Sequence, residues 1–312
     1  MIFVTSYDSP DLDGIACAIA YSEFLNKEGK KAEAVYYGDL GLEVEFVKQY
    51  TNYFPVEKHT GGFLAESQFI LVDAADPDEL EKTVIPQKVI EIIDHHPYTF
   101  TEVFVNAKKT IELVGSCATL VTERLQKEQF IPSKETVIYL YSAIISNTVN
   151  FKNTITTQRD IDAANYLQSL VKLPDDYIRQ MFSSKSKLTK ENLYHVIFQD
   201  FFAKPINGKR VGIGQIEIVD LDETVTSLWD ELVAVLERIR KEDKLDYVFL
   251  VGIDLYKGRT MFISIDKESH TLFSKVLDIP DLKMKHIIDF IMMRKQVWPK
   301  VDKVLEKGNN YE

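Results

Sequence analysis

The chain has 312 residues, long enough for two domains or one large one, and its 45% hydrophobic and 27% charged content is that of a globular protein with a sizeable core. With 48 acidic against 37 basic residues the net charge is −11, which argues against a long nucleic acid as partner, since backbone binding relies on clustered Lys and Arg. Two cysteines far apart, Cys17 and Cys117, argue against a disulfide framework and a thiolate zinc centre.

The first residues, "MIFVTS", read as a strand. They lack a basic segment followed by a long apolar one, and no later stretch is long enough to span a bilayer. The expectation is therefore a cytoplasmic protein with no membrane partner. "IACAIAYSEFLNKEG" predicts an amphipathic helix ending at Gly29, and "KAEAVYYG" a second strand. "FILVDAAD" and "VIEIIDHH" are two further apolar runs, each closed by acidic or histidine residues. Continuous apolar strands alternating with helices predict an α/β fold, a buried parallel sheet with helices on both faces.

From about 113 to 180 the reading is mostly helical. "GSCATLVTERLQKEQ", "SKETVIYLYSAIISNTVNF" and "TTQRDIDAANYLQSLV" each predict a helix, the last carrying Asp160 and Asp162. The polar, basic stretch 183–192 is the best linker candidate, dividing a domain at 1–182 from one at 193–312. Beyond it, "KRVGIGQIEIVD", a helix near 226–241 and a hairpin turning at "YKGR" predict a smaller C-terminal α+β domain.

Ligands of parallel sheets lie beyond the carboxyl ends of the strands. "YDSPDLD", "DAAD" and "DHH" all follow predicted strands, so they converge on one rim, where their charges repel unless a cation lies among them. A single Asp after a strand is usually a turn residue. Together, Asp11, Asp13, Asp73, Asp94 and His95 form a carboxylate and imidazole set suited to one or two ions of manganese, with magnesium or cobalt as alternatives. Ser116 opens a helix whose first N–H groups suit an anion.

The ordered motifs "SPDLDGIACA", "LVDAAD", "IIDHHP", "GSCATLV" and "SAIISNTVNFKNTITTQRD", with "MMRKQVWPKV" near the C-terminus, resemble the DHH phosphoesterase superfamily over essentially the whole chain. The C-terminal motif is similar to the one that accompanies DHH in manganese-dependent (family II) inorganic pyrophosphatases and exopolyphosphatases. The resemblance implies a metal-binding catalytic domain and a substrate-binding domain closing over a cleft, in an enzyme that is often a homodimer. Carried over by motif, Asp11, Asp13, Asp73 and His95 match metal ligands, and His96 matches a histidine facing the substrate phosphate. Asp94 is expected to orient a neighbouring histidine. Arg294 and Lys295 match residues that hold terminal phosphates.

The match breaks at four positions. Tyr7 and Ala74 stand where the family has His, Asn147 where it has Asp, and Phe202 where it has a phosphate-binding Lys, with Lys204 close enough in sequence to compensate. Loss of an imidazole and a carboxylate weakens one metal position, which Asp8, water or the Asn147 amide oxygen can complete. The leading expectation is a metal-dependent hydrolase of pyrophosphate or short polyphosphate. A phosphodiesterase or phosphatase acting on nucleotides or short oligonucleotides is the alternative. A degenerate, non-catalytic nucleotide- or metal-binding regulator is a third reading.

Overall fold

The computed structural model describes residues 1–96, 100–186 and 188–307. The chain forms two compact units, Met1–Lys185 and a second beginning at Ser186. Of the predicted features, Pro97 of the "IIDHHP" motif and Lys187 of the linker lie outside the described residues.

The first unit alternates strands and helices: β1 (Ile2–Thr5), α1 (Leu12–Lys27), β2 (Ala32–Tyr36), α2 (Leu42–Lys48), β3 (Val56–Lys58), β4 (Gln68–Val72), β5 (Val89–Asp94) and β6 (Lys108–Ile111), then α3 (Cys117–Lys127), α4 (Lys134–Asn147), α5 (Gln158–Leu170) and α6 (Tyr177–Lys185). All six strands are parallel, in the order β3-β2-β1-β4-β5-β6. The chain therefore leaves β1 in opposite lateral directions towards β2 and β4, and the crevice between them is the natural ligand position of such a sheet. Phe69, Leu71, Val89 and Ile92 are buried in an apolar cluster on this sheet, while Ile15, Ile19 and Leu25 bury α1 almost completely.

Helix boundaries follow local chemistry. Asp11 caps α1 by accepting from the N–H groups of Asp13 and Gly14, and Ser133 caps α4 through Thr136. Helix α5 opens with a capping box between Thr157 and Asp160. After α4 the chain continues through three consecutive left-handed residues, Val149, Asn150 and Phe151, with φ of 49°, 51° and 66°.

The second unit contains α7 (Leu193–Gln199), β7 (Phe201–Ile206), β8 (Lys209–Ile218), α8 (Leu221–Ser227), α9 (Trp229–Glu242), β9 (Tyr247–Asp254), β10 (Arg259–Ile263), α10 (Lys267–Leu277), β11 (Lys285–Ile288) and α11 (Arg294–Lys307). Its sheet runs β11-β10-β9-β8-β7, antiparallel except where α8 and α9 carry the chain from β8 to a parallel β9. The helix expected near 226–241 is α9, with the short α8 preceding it across Leu228. Phe249 and Phe273, both fully buried, stack 3.6 Å apart. Within the predicted linker, α6 continues to Lys185, because its apolar residues Tyr177, Met181 and Phe182 recur at helical spacing and are buried.

Candidate metal centre

The three polar clusters do meet at one edge. Strands β1, β4 and β5 are neighbours in the sheet, and their carboxyl ends deliver Tyr7 to Asp13, Asp73, and Asp94 to His96. Gly14 makes the close approach possible, since a Cβ there would lie 2.4 Å from the Ser6 Oγ.

Asp13 is fully buried and surrounded by donors. Its carboxylate accepts from the N–H groups of Cys117 (2.8 Å) and Ala118 (2.8 Å), the Ser116 hydroxyl (3.0 Å) and the Asn147 amide (2.6 Å). The start of α3 therefore faces an anion, as its sequence suggests, but that anion is the protein's own Asp13. Ser116, expected at the substrate, is fully buried against Asp13 and caps α3 through Ala118. Asn147 uses its NH2 group on Asp13, which leaves its Oδ1 as the atom it can offer a cation.

His95 lies beside this carboxylate. Its Nδ1 is 2.9 Å from the Val114 carbonyl, which only accepts, so Nδ1 carries a proton. Nε2 then faces Asp73 Oδ1 at 3.3 Å and Asp13 Oδ2 at 3.9 Å. A ring fixed by a carbonyl with its other nitrogen turned to carboxylates is the usual posture of a metal-binding imidazole. His96 is half-buried, with Nδ1 2.8 Å from Asp94 Oδ1. Asp94 also accepts from the N–H of His95 (2.8 Å), so it aims the second histidine of the pair.

Electrostatics tests whether these residues fit a cation. Burial and the nearby Asp13 push the Asp73 carboxyl well above the usual range, and Asp11 is raised by the same two causes. Burial opposes a charge on His95, yet the hydrogen bond to Asp73 and the charges of Asp13 and Asp73 raise it to about 10. Asp73 is buried at a left-handed φ of 57°, and its Oδ1 makes no aligned hydrogen bond among the described residues. Asp73, His95 and His96 bring one ligand atom each within 4.8 Å of one another. Buried carboxylates that cannot share one charge state, together with an imidazole, fit a manganese-like divalent ion.

The divergent residues have other partners. Tyr7 and Ala74 both join the apolar cluster of Tyr37, Phe69 and Leu80. The Tyr7 hydroxyl is held neutral by burial and by the charges of Asp11 and Asp73. Phe202 is 49% exposed and meets Trp298 edge-on at 5.4 Å. Lys204 pairs with Asp302 at 2.7 Å and lies over the Trp298 ring.

In the second unit, Arg294 and Lys295 line a cavity of about 220 Å3 with Gln215 and Glu217. Arg294 pairs with Asp200, and its backbone N–H donates to Gln215 Oε1 at 2.7 Å.

Sequence reasoning passed over Asp160. This fully buried carboxylate accepts from the N–H of Gly115 (2.9 Å), the hydroxyl of Thr119 (2.6 Å), and both N–H and hydroxyl of Thr157 (2.7 Å each). It fixes the turn that presents Ser116, Cys117 and Ala118 to Asp13. The available signal was the spacing Thr157 to Asp160, a capping box.

Comparison with known proteins agrees with this arrangement. Residues 1–144 match the model of the DHH family N-terminal domain, and residues 179–304 that of the DHHA2 domain. The chain is 30% identical to the manganese-dependent inorganic pyrophosphatase of Methanocaldococcus jannaschii, covering 97% of this chain and 99% of that protein. It is 28% identical to the Bacillus subtilis enzyme of the same name, over 96% of each. A crystal structure of a Methanococcus jannaschii protein assigned to family II of the inorganic pyrophosphatases superposes with a TM-score of 0.61 at 27% identity, over 98% of this chain and 100% of that one.

Proposed function

This chain belongs to the DHH family that carries a DHHA2 domain, the family of manganese-dependent inorganic pyrophosphatases, and on that premise we propose that it hydrolyses inorganic pyrophosphate with a divalent ion. The first unit is read as the metal-binding catalytic domain and the second as the substrate-binding domain. The observation that carries the reading is His95 Nε2, presented to the buried Asp73 and Asp13 by a carbonyl bond that fixes its tautomer.

Asp11, Asp13, Asp73 and His95 would hold the ion, with Asn147 offering its amide oxygen. A bound divalent cation supplies a Lewis acid for phosphoryl oxygens and increases the acidity of an attacking water. The chain's own residues do the rest. The donors around Asp13 hold its carboxylate in place. His96, held by Asp94, contacts the phosphate and moves a proton on or off the leaving oxygen. The Arg294 guanidinium and Lys295 ammonium neutralise charge that accumulates on the leaving phosphate.

Among the described residues no helix is long and apolar enough to cross a membrane. The deciding measurement is orthophosphate release from pyrophosphate with saturating manganese, beside a His95→Ala control. Equal rates in both would overturn the reading. Release of nucleotide products from dinucleotides, faster than orthophosphate from pyrophosphate, would transfer the same centre to a different substrate.

A further inference from the structure

Helices α2, α4 and α6 of the first unit are joined by aromatic contacts. Tyr177 of α6 meets Phe46 of α2 at 5.5 Å and Tyr50, just beyond α2, edge-on at 4.8 Å. The Tyr177 hydroxyl lies 2.6 Å from that of Ser142 on α4. One turn later on α4 the same three helices meet again, this time through polar groups. The Ser146 hydroxyl donates to Glu43 Oε1 at 2.5 Å. Lys185 Nζ pairs with that same oxygen at 2.8 Å and donates to Ser146 Oγ at 3.2 Å. Glu43 lies in the first turn of α2, and Lys185 ends both α6 and the first unit.

Two observations connect this cluster to the metal centre. The residue after Ser146 is Asn147, whose amide grips Asp13 at 2.6 Å, so the last turn of α4 is held on one side by Glu43 and on the other by Asp13. The charge of Glu43 also reaches the centre. Asp11 is raised first by burial and by the charge of Asp13, and the Glu43 carboxylate adds to that upward pull. A carboxylate felt by Asp11 is felt equally by a cation that Asp11 holds.

The pair is largely withdrawn from solvent, with the Glu43 side chain 15% and the Lys185 side chain 27% exposed, so water screens its charges only in part. Ion pairs of this kind add little to stability, and apolar residues of similar volume often replace them without loss. Stability is therefore a weak reason for these two charges to stand here, and their effect on the ion is a stronger one.

We propose that Glu43 and Lys185 are a positioning pair for the metal centre. Glu43 anchors the turn that brings Asn147 to Asp13 and adds attraction for the ion, while Lys185 fixes the Glu43 carboxylate and offsets part of that attraction. This inference rests on the reading of Asp11, Asp13, Asp73 and His95 as ion ligands, and it does not depend on pyrophosphate being the substrate.

The test is a calorimetric titration of the full chain with manganese chloride alone. Glu43→Gln keeps an acceptor for Ser146 but leaves the Lys185 charge unopposed, and manganese should bind about fivefold more weakly. Lys185→Met leaves the Glu43 charge unopposed, and manganese should bind about threefold more tightly, a smaller change because Lys185 is the more exposed partner. The double variant restores the balance and should bind within about twofold of the unaltered chain. An ion pair that served the fold alone would give a different pattern, since losing either partner would loosen α4 and weaken binding. Lys185→Met separates the two roles most clearly: it should melt at a lower temperature without metal yet bind manganese more tightly. The inference is overturned if both single substitutions weaken binding, if neither shifts it by twofold, or if the double variant binds more weakly than either single one. Failure of the unaltered chain to bind manganese saturably would overturn the ion reading itself, and this inference with it.

Discussion

Replacing Asp160 with Ala gives the sharpest test of how this fold builds its metal centre. The substitution removes a fully buried carboxylate and strands the Gly115 N–H, the Thr119 hydroxyl, and the N–H and hydroxyl of Thr157. Each buried donor left unpaired costs about 1–3 kcal/mol, and losing a helix cap about 1 kcal/mol. Relaxation and water entry reduce the sum, so a destabilisation of about 3–5 kcal/mol is expected, at the upper end for single substitutions. At about 2–4 °C per kcal/mol for a unit of this size, the first unit should melt about 10 °C lower. The control is Asp162→Ala on the same helix, where an exposed carboxylate touches only the exposed Gln158 at 2.9 Å and about 0.5 kcal/mol or less is expected. Urea denaturation of both variants, followed by circular dichroism, reads the difference. A loss below 1 kcal/mol for Asp160→Ala, or one equal to the control, would refute the claim that this carboxylate holds the turn in front of Asp13. Manganese affinity supplies a second reading, because Ser116, Cys117 and Ala118 reach Asp13 from that turn; it should fall even under conditions where the variant is fully folded.

Other consequences are open to direct measurement. Manganese at a hundredfold excess over its dissociation constant should stabilise the first unit by about 2.7 kcal/mol, or about 5–10 °C, and a chelator should reverse it. In the metal-free protein the His95 pKa is raised from 6.5 to about 10, so its protonated form stabilises the fold fully below about pH 6.5 and progressively less as pH rises towards 10. A cation at Nε2 must displace that proton, so manganese affinity should increase with pH across the same interval, and a flat profile from titration calorimetry would contradict the assignment. Gly115→Ala should destabilise by about 1–3 kcal/mol, since the new methyl would lie 2.7 Å from Thr148 Cγ2 and 2.9 Å from Asp160 Oδ2. Phe249→Ala should cost the second unit about 3–5 kcal/mol by removing a fully buried ring stacked on Phe273, with hydrogen exchange in the first unit unchanged.

Much of this molecule is legible in its sequence, for identifiable reasons. Strands β4 and β5 are mostly buried and therefore read as apolar runs, interrupted only by Glu91 in β5, and the acidic and histidine residues closing them mark the ligand edge. Strands β3 and β6 escaped notice because they are edge strands of three and four residues with the sequences VEK and KKTI, whose charges protect an exposed edge and erase the pattern. Helix α8 was missed because its seven residues, LDETVTS, are too few and too polar to show a helical period. At the candidate metal centre, residue types and spacing pointed to Asp11, Asp13, Asp73 and His95 as the ligands proposed above. What surrounds them was not legible: apart from the Cys17 thiol one turn along α1, the donors to Asp13 come from 103 to 134 residues away, and no local pattern reports a contact of that range.

The left-handed run at Val149, Asn150 and Phe151 places a ceiling on how far this protein can be thermostabilised. Conformations of this hand cost about 1–2 kcal/mol for each residue other than glycine, and two of these three are branched or bulky. Glycine at either position would relieve the backbone, but it would also slacken the only covalent continuation of the helix that ends at Asn147, whose amide grips Asp13. A programme of stabilising substitutions that ignored the centre would select that change early, and the heat resistance gained would come at the expense of a firmly seated ion.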